Sequence, residues 1–212
     1  MKPNPISAPN SLSEVTVSSL GGLGDGLASL NGKPLFIEKS APGDRLKIRI
    51  VHETKEALRG EIVEVLQGGP ERVAPICAHF DACGGCSLQQ LSPSFYQESK
   101  RKVLKSALAH AGFPDIEADV IFLPVASRRR VEMKAAHLPT GLFFAYYAPR
   151  SRDLVPIKLC PILEPGLQAL LTPLASALNK WHAVRAIKTV SLTAADSGID
   201  MVIECSSLVE NT

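Results

Sequence analysis

Three cysteines fall within ten residues, Cys77-Ala-His-Phe-Asp-Ala-Cys83-Gly-Gly-Cys86, and a fourth, Cys160, stands 74 residues further on, just ahead of Pro161. No other feature restricts the fold so tightly. A C-x5-C-x2-C run is too compact to arise from core packing, and its two glycines let the backbone fold back so that three sulfurs converge on one point. Three converging thiolates and a distant fourth make a four-sulfur site, which suits an iron–sulfur cluster or zinc. The five-residue first spacing is wider than the roughly two to four of a zinc knuckle and favours a [4Fe–4S] cluster. Zinc, with His79 as a substitute ligand, is the competing reading. A disulfide framework fits poorly, because the chain is neither small nor cysteine-dense. The fifth cysteine, Cys205, lies in the apolar run from Met201 and reads as a core thiol.

The first residues, Met1-Lys2-Pro3-Asn4-Pro5, contain no apolar leader, and no stretch approaches the roughly 20 apolar residues of a membrane helix. The expectation is a cytoplasmic chain without a membrane partner. Net charge is only +2, but it is unevenly spread. Residues 97–158 carry 11 basic against 6 acidic side chains, while the segments before and after are each slightly acidic. A localised basic segment is the electrostatic footprint of a polyanion partner, whereas a uniform +2 is not.

Residues 1–12, rich in Pro, Asn and Ser, read as a disordered tail. From Glu14 the chain changes to short strands between turns: Glu14–Val17, a glycine-rich turn over Gly21–Gly26, a further strand and hairpin turn over Leu27–Lys33, Pro34–Glu38, Arg45–Ile50 and Gly60–Leu66. The glycine-rich turn matches a dinucleotide loop only nominally, since no helix follows it. About five strands in so short a span predict a small closed barrel, with Arg45, Lys47 and Arg49 on one strand face. After the cysteine loop, Ser92 and Pro93 open a helix that runs to Ala111 and ends at Gly112. Its apolar stripe comprises Tyr96, Val103, Leu104, Ala107 and Leu108. Strands are then expected at Val120–Leu123, Val131–His137, Leu142–Tyr147 and Leu154–Ile157. A helix over Glu164–Trp181, bent or restarted at Pro173, and a hairpin from Ala186 to Glu204 complete an α+β domain.

The order of these features resembles one family. A small barrel with Gly24-Asp25-Gly26 precedes Cys-x5-Cys-Gly-Gly-Cys-x2-Gln at Cys77 to Gln89, then Tyr96-Gln97-x2-Lys100, then Cys160-Pro161. This is similar to the N-terminal half of the bacterial RNA uracil-5-methyltransferases, which make 5-methyluridine in 23S rRNA or tRNA. The chain departs from the family's usual pattern at Gln90, Ser127 and Arg152. The resemblance implies a five-stranded, oligonucleotide-binding-like TRAM barrel over residues 13–67 and an iron–sulfur central α+β domain over 68–212. It implies Cys77, Cys83, Cys86 and Cys160 as ligands of a [4Fe–4S] cluster with a structural role. The helix at 93–111 is implied to pack on the family's catalytic domain.

In the family, a doubly wound C-terminal domain binds S-adenosylmethionine and supplies the catalytic Cys and Glu. No glycine-rich strand–turn–helix segment follows residue 115 here, so neither a catalytic nor a methyl-donor site is expected within the chain, and S-adenosylmethionine belongs only to the full-length enzyme. The implied role is that of a monomeric RNA-binding part, for rRNA in preference to tRNA. Candidate RNA contacts are Arg128, Arg129, Arg130 and Lys134, then Arg150 and Arg152, with Lys47 and Arg49 on the barrel, because a guanidinium pairs with phosphate and stacks on bases. A stand-alone iron–sulfur or zinc RNA-binding protein without catalysis is the alternative.

Overall fold

The computed structural model describes residues 12–206. The expected N-terminal tail lies outside them except for Leu12, which opens the first strand. The chain divides into two compact units, residues 1–75 with 87–121 and residues 76–86 with 122–212.

The first unit is built on a six-stranded sheet of β1 (Leu12–Thr16), β2 (Ser19–Leu20), β3 (Gly26–Leu30), β4 (Lys33–Ile37), β5 (Arg45–Glu53) and β6 (Leu58–Gln67), in the order β1-β5-β6-β4-β3-β2. Five strands were expected. The sixth arises because the first strand bends at Val17-Ser18 and pairs with β5 on one side of the bend and with β3 on the other. The two ends of the sheet are therefore one chain segment, which is how a small barrel removes its open edges. Asn31 and Gly32 both take positive φ, 52° and 77°, the conformation that a two-residue hairpin between β3 and β4 demands. Three register shifts along β5 and β6 bend these long strands round the barrel. The interior is filled by Val15, Val17, Ala28, Leu35, Ile37, Leu46, Ile48 and Leu58.

The barrel unit extends beyond the expected boundary at residue 67. The segment after β6 is held to the barrel by a buried ion pair: Arg72 donates from Nε and Nη2 to the Asp44 carboxylate at 2.8 and 2.6 Å. Val73 N–H donates to Gln90 O, and the Gln90 side chain donates to Ser40 O at 2.9 Å. These bonds carry residues 87–121, with helix α1 (Pro93–His110), into the first unit. The Ser92 hydroxyl caps α1 by accepting from Phe95 N–H at 3.3 Å, and Gly112 follows with φ 91°. No residue of α1 is buried; Val103 and Leu104 of its apolar stripe are 44% and 38% exposed.

The second unit has a five-stranded antiparallel sheet, β11-β10-β7-β8-β9, made of β7 (Arg130–Leu138), β8 (Gly141–Tyr147), β9 (Leu154–Pro156), β10 (Ile187–Ala195) and β11 (Gly198–Cys205). Helix α2 (Pro165–Leu178) packs on one face against β8 and β10, burying Leu167, Leu171 and Leu178 against Val131, Met133, Phe144, Val190 and Leu192. Pro173 lies within α2 without dividing it into two helices. The strand expected at Val120–Leu123 does not form. Ile121 and Leu123 are strongly exposed and pair with no strand, and the following Pro124 cannot donate to a ladder. Cys205 is half-buried and packs against the core cluster. Among the described residues no helix is long and apolar enough to cross a membrane.

Candidate functional site

All four cysteines of the motif belong to the second unit, although the chain on both sides of residues 76–86 belongs to the first. The loop begins with tight turns, Phe80 N–H donating to Cys77 O at 3.0 Å and Cys83 N–H to His79 O at 2.8 Å. It is then laid against the end of β8. Gly84 N–H donates to Tyr147 O at 2.9 Å, and a Cβ on Gly84 would stand 2.8 Å from that same oxygen. A Cβ on Gly85 would stand 3.4 Å from the Cys83 sulfur. The glycine pair therefore serves close backbone approach to a strand as much as the bend expected from sequence.

Cys83 and Cys160 are buried, and Cys77 and Cys86 are half-buried. Burial pushes the Cys160 thiol above its ordinary pKa. The Ile162 N–H opposes the rise, and the charges of Cys77, Cys86 and Cys83 add to it. The loop that carries Cys77, Cys83 and Cys86 lies in the same unit as Cys160. The four thiols do not meet at one point as the spacing predicted: among the described residues, no group of three or more His, Cys, Asp or Glu side chains is placed to hold a metal ion. A single zinc needs sulfurs at about 2.3 Å from one centre, whereas a four-iron cluster distributes its ligands over separate irons. Four soft donors, two of them buried, fit a thiolate-ligated group in kind; a closed single-ion centre is not formed.

Tyr146 is a neighbour that sequence reasoning missed. Its side chain packs against the core cluster that contains Cys83 and Cys160. Burial raises its pKa far above the ordinary value, the Cys160 charge adds to that, and the Arg128 charge opposes it. The signal was present in the alternation of Leu142, Phe144 and Tyr146, which puts all three side chains on the core face of β8.

The candidate RNA contacts separate into groups. Arg128 is exposed and held through its backbone by Ile162 and Glu164. Arg150, with φ 53°, and Arg152 are exposed on the β8–β9 turn, the turn whose backbone receives Gly84. The β8–β9 turn thus carries Arg150 and Arg152 next to the backbone of the cysteine loop. Arg129 is committed elsewhere, with Nη2 2.7 Å from Asp196 Oδ1, and that hydrogen bond raises its pKa. β7 begins only at Arg130, and along it Val131 and Met133 face the core, while Arg130, Glu132 and Lys134 face outward. Lys134 donates to Glu132 at 2.9 Å and to Thr189 Oγ1 at 3.2 Å, and the Glu132 bond raises its pKa. On the barrel, Lys47 is registered between Glu14 and Glu64, and Arg49 lies 3.8 Å from Glu61. That strand face is mixed in charge.

The sequence of residues 9–63 matches the TRAM domain family. The first unit carries a TRAM domain. Outside this TRAM barrel, the similarity continues through most of the chain. The chain is homologous to the 23S rRNA (uracil(1939)-C(5))-methyltransferases RlmD of Erwinia tasmaniensis (36% identity over 193 residues) and Photorhabdus laumondii (33% over 193 residues). Each alignment takes in 89% of this chain and 44% of the relative, so the chain spans less than half the length of the curated relatives it matches. A solved structure, the Pyrococcus abyssi tRNA (uracil-54, C5)-methyltransferase in complex with S-adenosyl-L-homocysteine, superposes with a TM-score of 0.59 over 90% of this chain and 44% of its own, at 21% identity. That likeness concerns the fold: a TRAM barrel joined to an α+β unit.

Proposed function

We propose that this chain is the RNA-binding part of a [4Fe–4S]-containing RNA uracil-5-methyltransferase. The full-length enzyme transfers a methyl group from S-adenosylmethionine to C5 of a uridine in 23S rRNA, in preference to tRNA, and acts as a cytoplasmic monomer. The observation that carries the reading is the placement of Cys77, Cys83, Cys86 and Cys160 in one unit, with the cysteine loop seated through Gly84 N–H on Tyr147 O beside the turn of Arg150 and Arg152. Homology to 23S rRNA methyltransferases over nine-tenths of the chain supports the substrate class.

In this reading the four cysteines hold the cluster, and the cluster, when bound, ties the residue 77–86 loop to Cys160. Its binding free energy then forms part of the folding free energy of the second unit. Tyr146, packed against the core cluster that contains Cys83 and Cys160, restricts their side chains, as the surroundings of metal ligands do. Arg128, Arg130, Arg150 and Arg152 contact phosphate. Lys134 contributes when RNA displaces Glu132, and Arg129 when it displaces Asp196. Uridine C5 lies inside a stacked helix unless the base is exposed, so the RNA bound here is single-stranded or flipped out.

The test is anaerobic purification followed by iron, acid-labile sulfide and zinc analysis, together with binding to a single-stranded 23S rRNA fragment and to a tRNA. Equal iron and sulfide, brown colour, loss of both in Cys160→Ser, and tighter binding to the rRNA fragment are expected. A colourless zinc protein would replace the cluster by the stand-alone zinc reading. Equal or tighter binding to tRNA would overturn the substrate class.

A further inference from the structure

The glycine-rich turn at Gly21–Gly26 has no part in the site described above, and the nominal dinucleotide reading of it fails for want of a following helix in sequence. The fold supplies a helix from elsewhere in the first unit. The turn and the N-terminal half of α1 enclose a cleft of about 300 Å³, lined by Ser19, Gly22, Phe95, Lys100, Lys102 and Val103 among others.

Several features of this cleft point to one kind of ligand. The turn is held open and rigid: Gly21 N–H donates to Asp25 O at 2.8 Å and Gly24 N–H to Gly21 O at 2.9 Å. Gly24, at φ 93°, approaches so closely that a Cβ there would stand 2.9 Å from Leu88. Between Gly22 and Gly24, which with Gly21 line the cleft, Leu23 is 90% exposed, an apolar side chain placed in water at a loop tip. Phe95 and Val103 provide an apolar wall from positions eight residues apart, which share a helix face. From the same helix Lys100 and Lys102 add two cations and Glu98 one carboxylate. Glu98 lies 4.0 Å from Lys102, a long and solvent-screened pairing that a phosphate can displace. The volume is at the small end of the roughly 300–1,000 Å³ of ligand clefts. It suits a single flat heterocycle with its sugar.

We infer that this cleft takes one unstacked nucleotide of a single-stranded RNA, its base against Phe95 and Val103, its phosphates at Lys100 and Lys102, and the neighbouring base on Leu23. Aromatic stacking with cations along the backbone is how single strands are held without sequence readout. The inference rests on the RNA reading above, but it adds a contact surface in the first unit, separate from the arginines of the second.

The test uses the full chain and a fluorescein-labelled oligouridylate, with affinity measured by anisotropy across a salt series. Phe95→Ala is expected to weaken binding about ten-fold, the size of one lost base stack. The Lys100→Ala, Lys102→Ala double variant is expected to lower the slope of log affinity against log salt by about 1 to 2. Gly22→Glu guards against misfolding, because a Cβ at Gly22 meets nothing within 4 Å; its carboxylate at the cleft mouth is expected to weaken binding at least as much. Unchanged affinity and salt slope in all three variants would overturn the cleft. So would loss of binding confined to Arg130→Ala and Lys134→Ala, although the RNA reading would then stand. No binding by the unaltered chain would overturn both.

Discussion

Replacing Asp44 by Ala tests what holds the first unit together. Asp44 is fully buried and accepts four hydrogen bonds: from Ala41 N–H at 2.6 Å, Gly69 N–H at 2.9 Å, Arg72 Nε at 2.8 Å and Arg72 Nη2 at 2.6 Å. Arg72 Nη2 also donates to Lys39 O at 2.9 Å. One carboxylate thus joins the β4–β5 turn to the chain leaving β6. Its removal strands two backbone N–H groups and a guanidinium whose side chain is only 19% exposed. Breaking a buried, hydrogen-bonded ion pair from one side costs about 3–5 kcal/mol. Partial water access to Arg72 places the expectation near the lower end, about 3 kcal/mol, still a large share of the roughly 5–15 kcal/mol by which domains are stable.

Urea denaturation followed by far-UV circular dichroism measures the loss, and hydrogen exchange at the Ala41 and Gly69 amides localises it. Arg72→Met, which keeps the alkyl stem, is expected to destabilise as well, and the double variant is expected to cost less than the two single losses combined. The sign of the pH dependence follows from the Asp44 pKa. Burial alone would raise it, but the Arg72 hydrogen bond, the Gly69 and Ala41 N–H groups and the Arg72 charge outweigh burial and hold it below the usual carboxylate range. The contribution is therefore fully present above roughly pH 4 and is lost as pH falls through the lowered folded value. The stability gap between the unaltered protein and Asp44→Ala should be flat from neutral pH down to about 4 and narrow below it. A loss under about 1 kcal/mol, additive single variants, or a gap that closes at neutral pH would refute the reasoning.

Other outcomes follow from the same geometry. Gly26→Ala should destabilise by about 1–3 kcal/mol or prevent folding, because its Cβ would stand 1.9 Å from the buried Ser40 Oγ and 2.9 Å from Val17; thermal unfolding reads this directly. Asn179→Ala should cost about 1–2 kcal/mol, since the Asn179 amide accepts from Leu142 N–H at 2.7 Å and donates to Leu142 O at 3.1 Å, fastening the C-terminus of α2 to β8. Gly84→Ala should reduce iron incorporation while leaving the circular dichroism of the barrel unchanged, because the added carbon collides with Tyr147 O and lifts the cysteine loop from β8. In RNA titrations across salt, Arg130→Ala should lower the salt slope by about 1, and Arg129→Ala by less, since Asp196 already neutralises Arg129.

Local chemistry was legible directly. The alternation of Leu46, Ile48 and Ile50 with cations marks a strand with one buried face, and β5 is that strand. Ser92-Pro93 marks a helix start, and the cap forms. At Val120–Leu123 a run of four apolar residues misled, because a strand exists only where a partner edge receives its N–H and C=O groups, and no such edge is there. The membership of α1 was hidden for a similar reason: Gln90 reads as an ordinary polar loop residue until the fold brings it to Ser40, 50 positions earlier.

Sequence by itself therefore determined most element types, the four candidate thiol donors and the concentration of positive charge, since these depend on residues close along the chain. Tertiary structure alone decided which charges remain available and which are neutralised. Arg129 finds Asp196 67 residues away, whereas Arg128, one position earlier, is held by its backbone to Ile162 and Glu164 and stays exposed. It likewise turned a glycine-rich loop without a helix of its own into one wall of a cleft. The physical reason is the range of the interactions: propensity, capping and periodicity act within a few residues, while electrostatic pairing and enclosed volume depend on distances in space that only the folded chain sets.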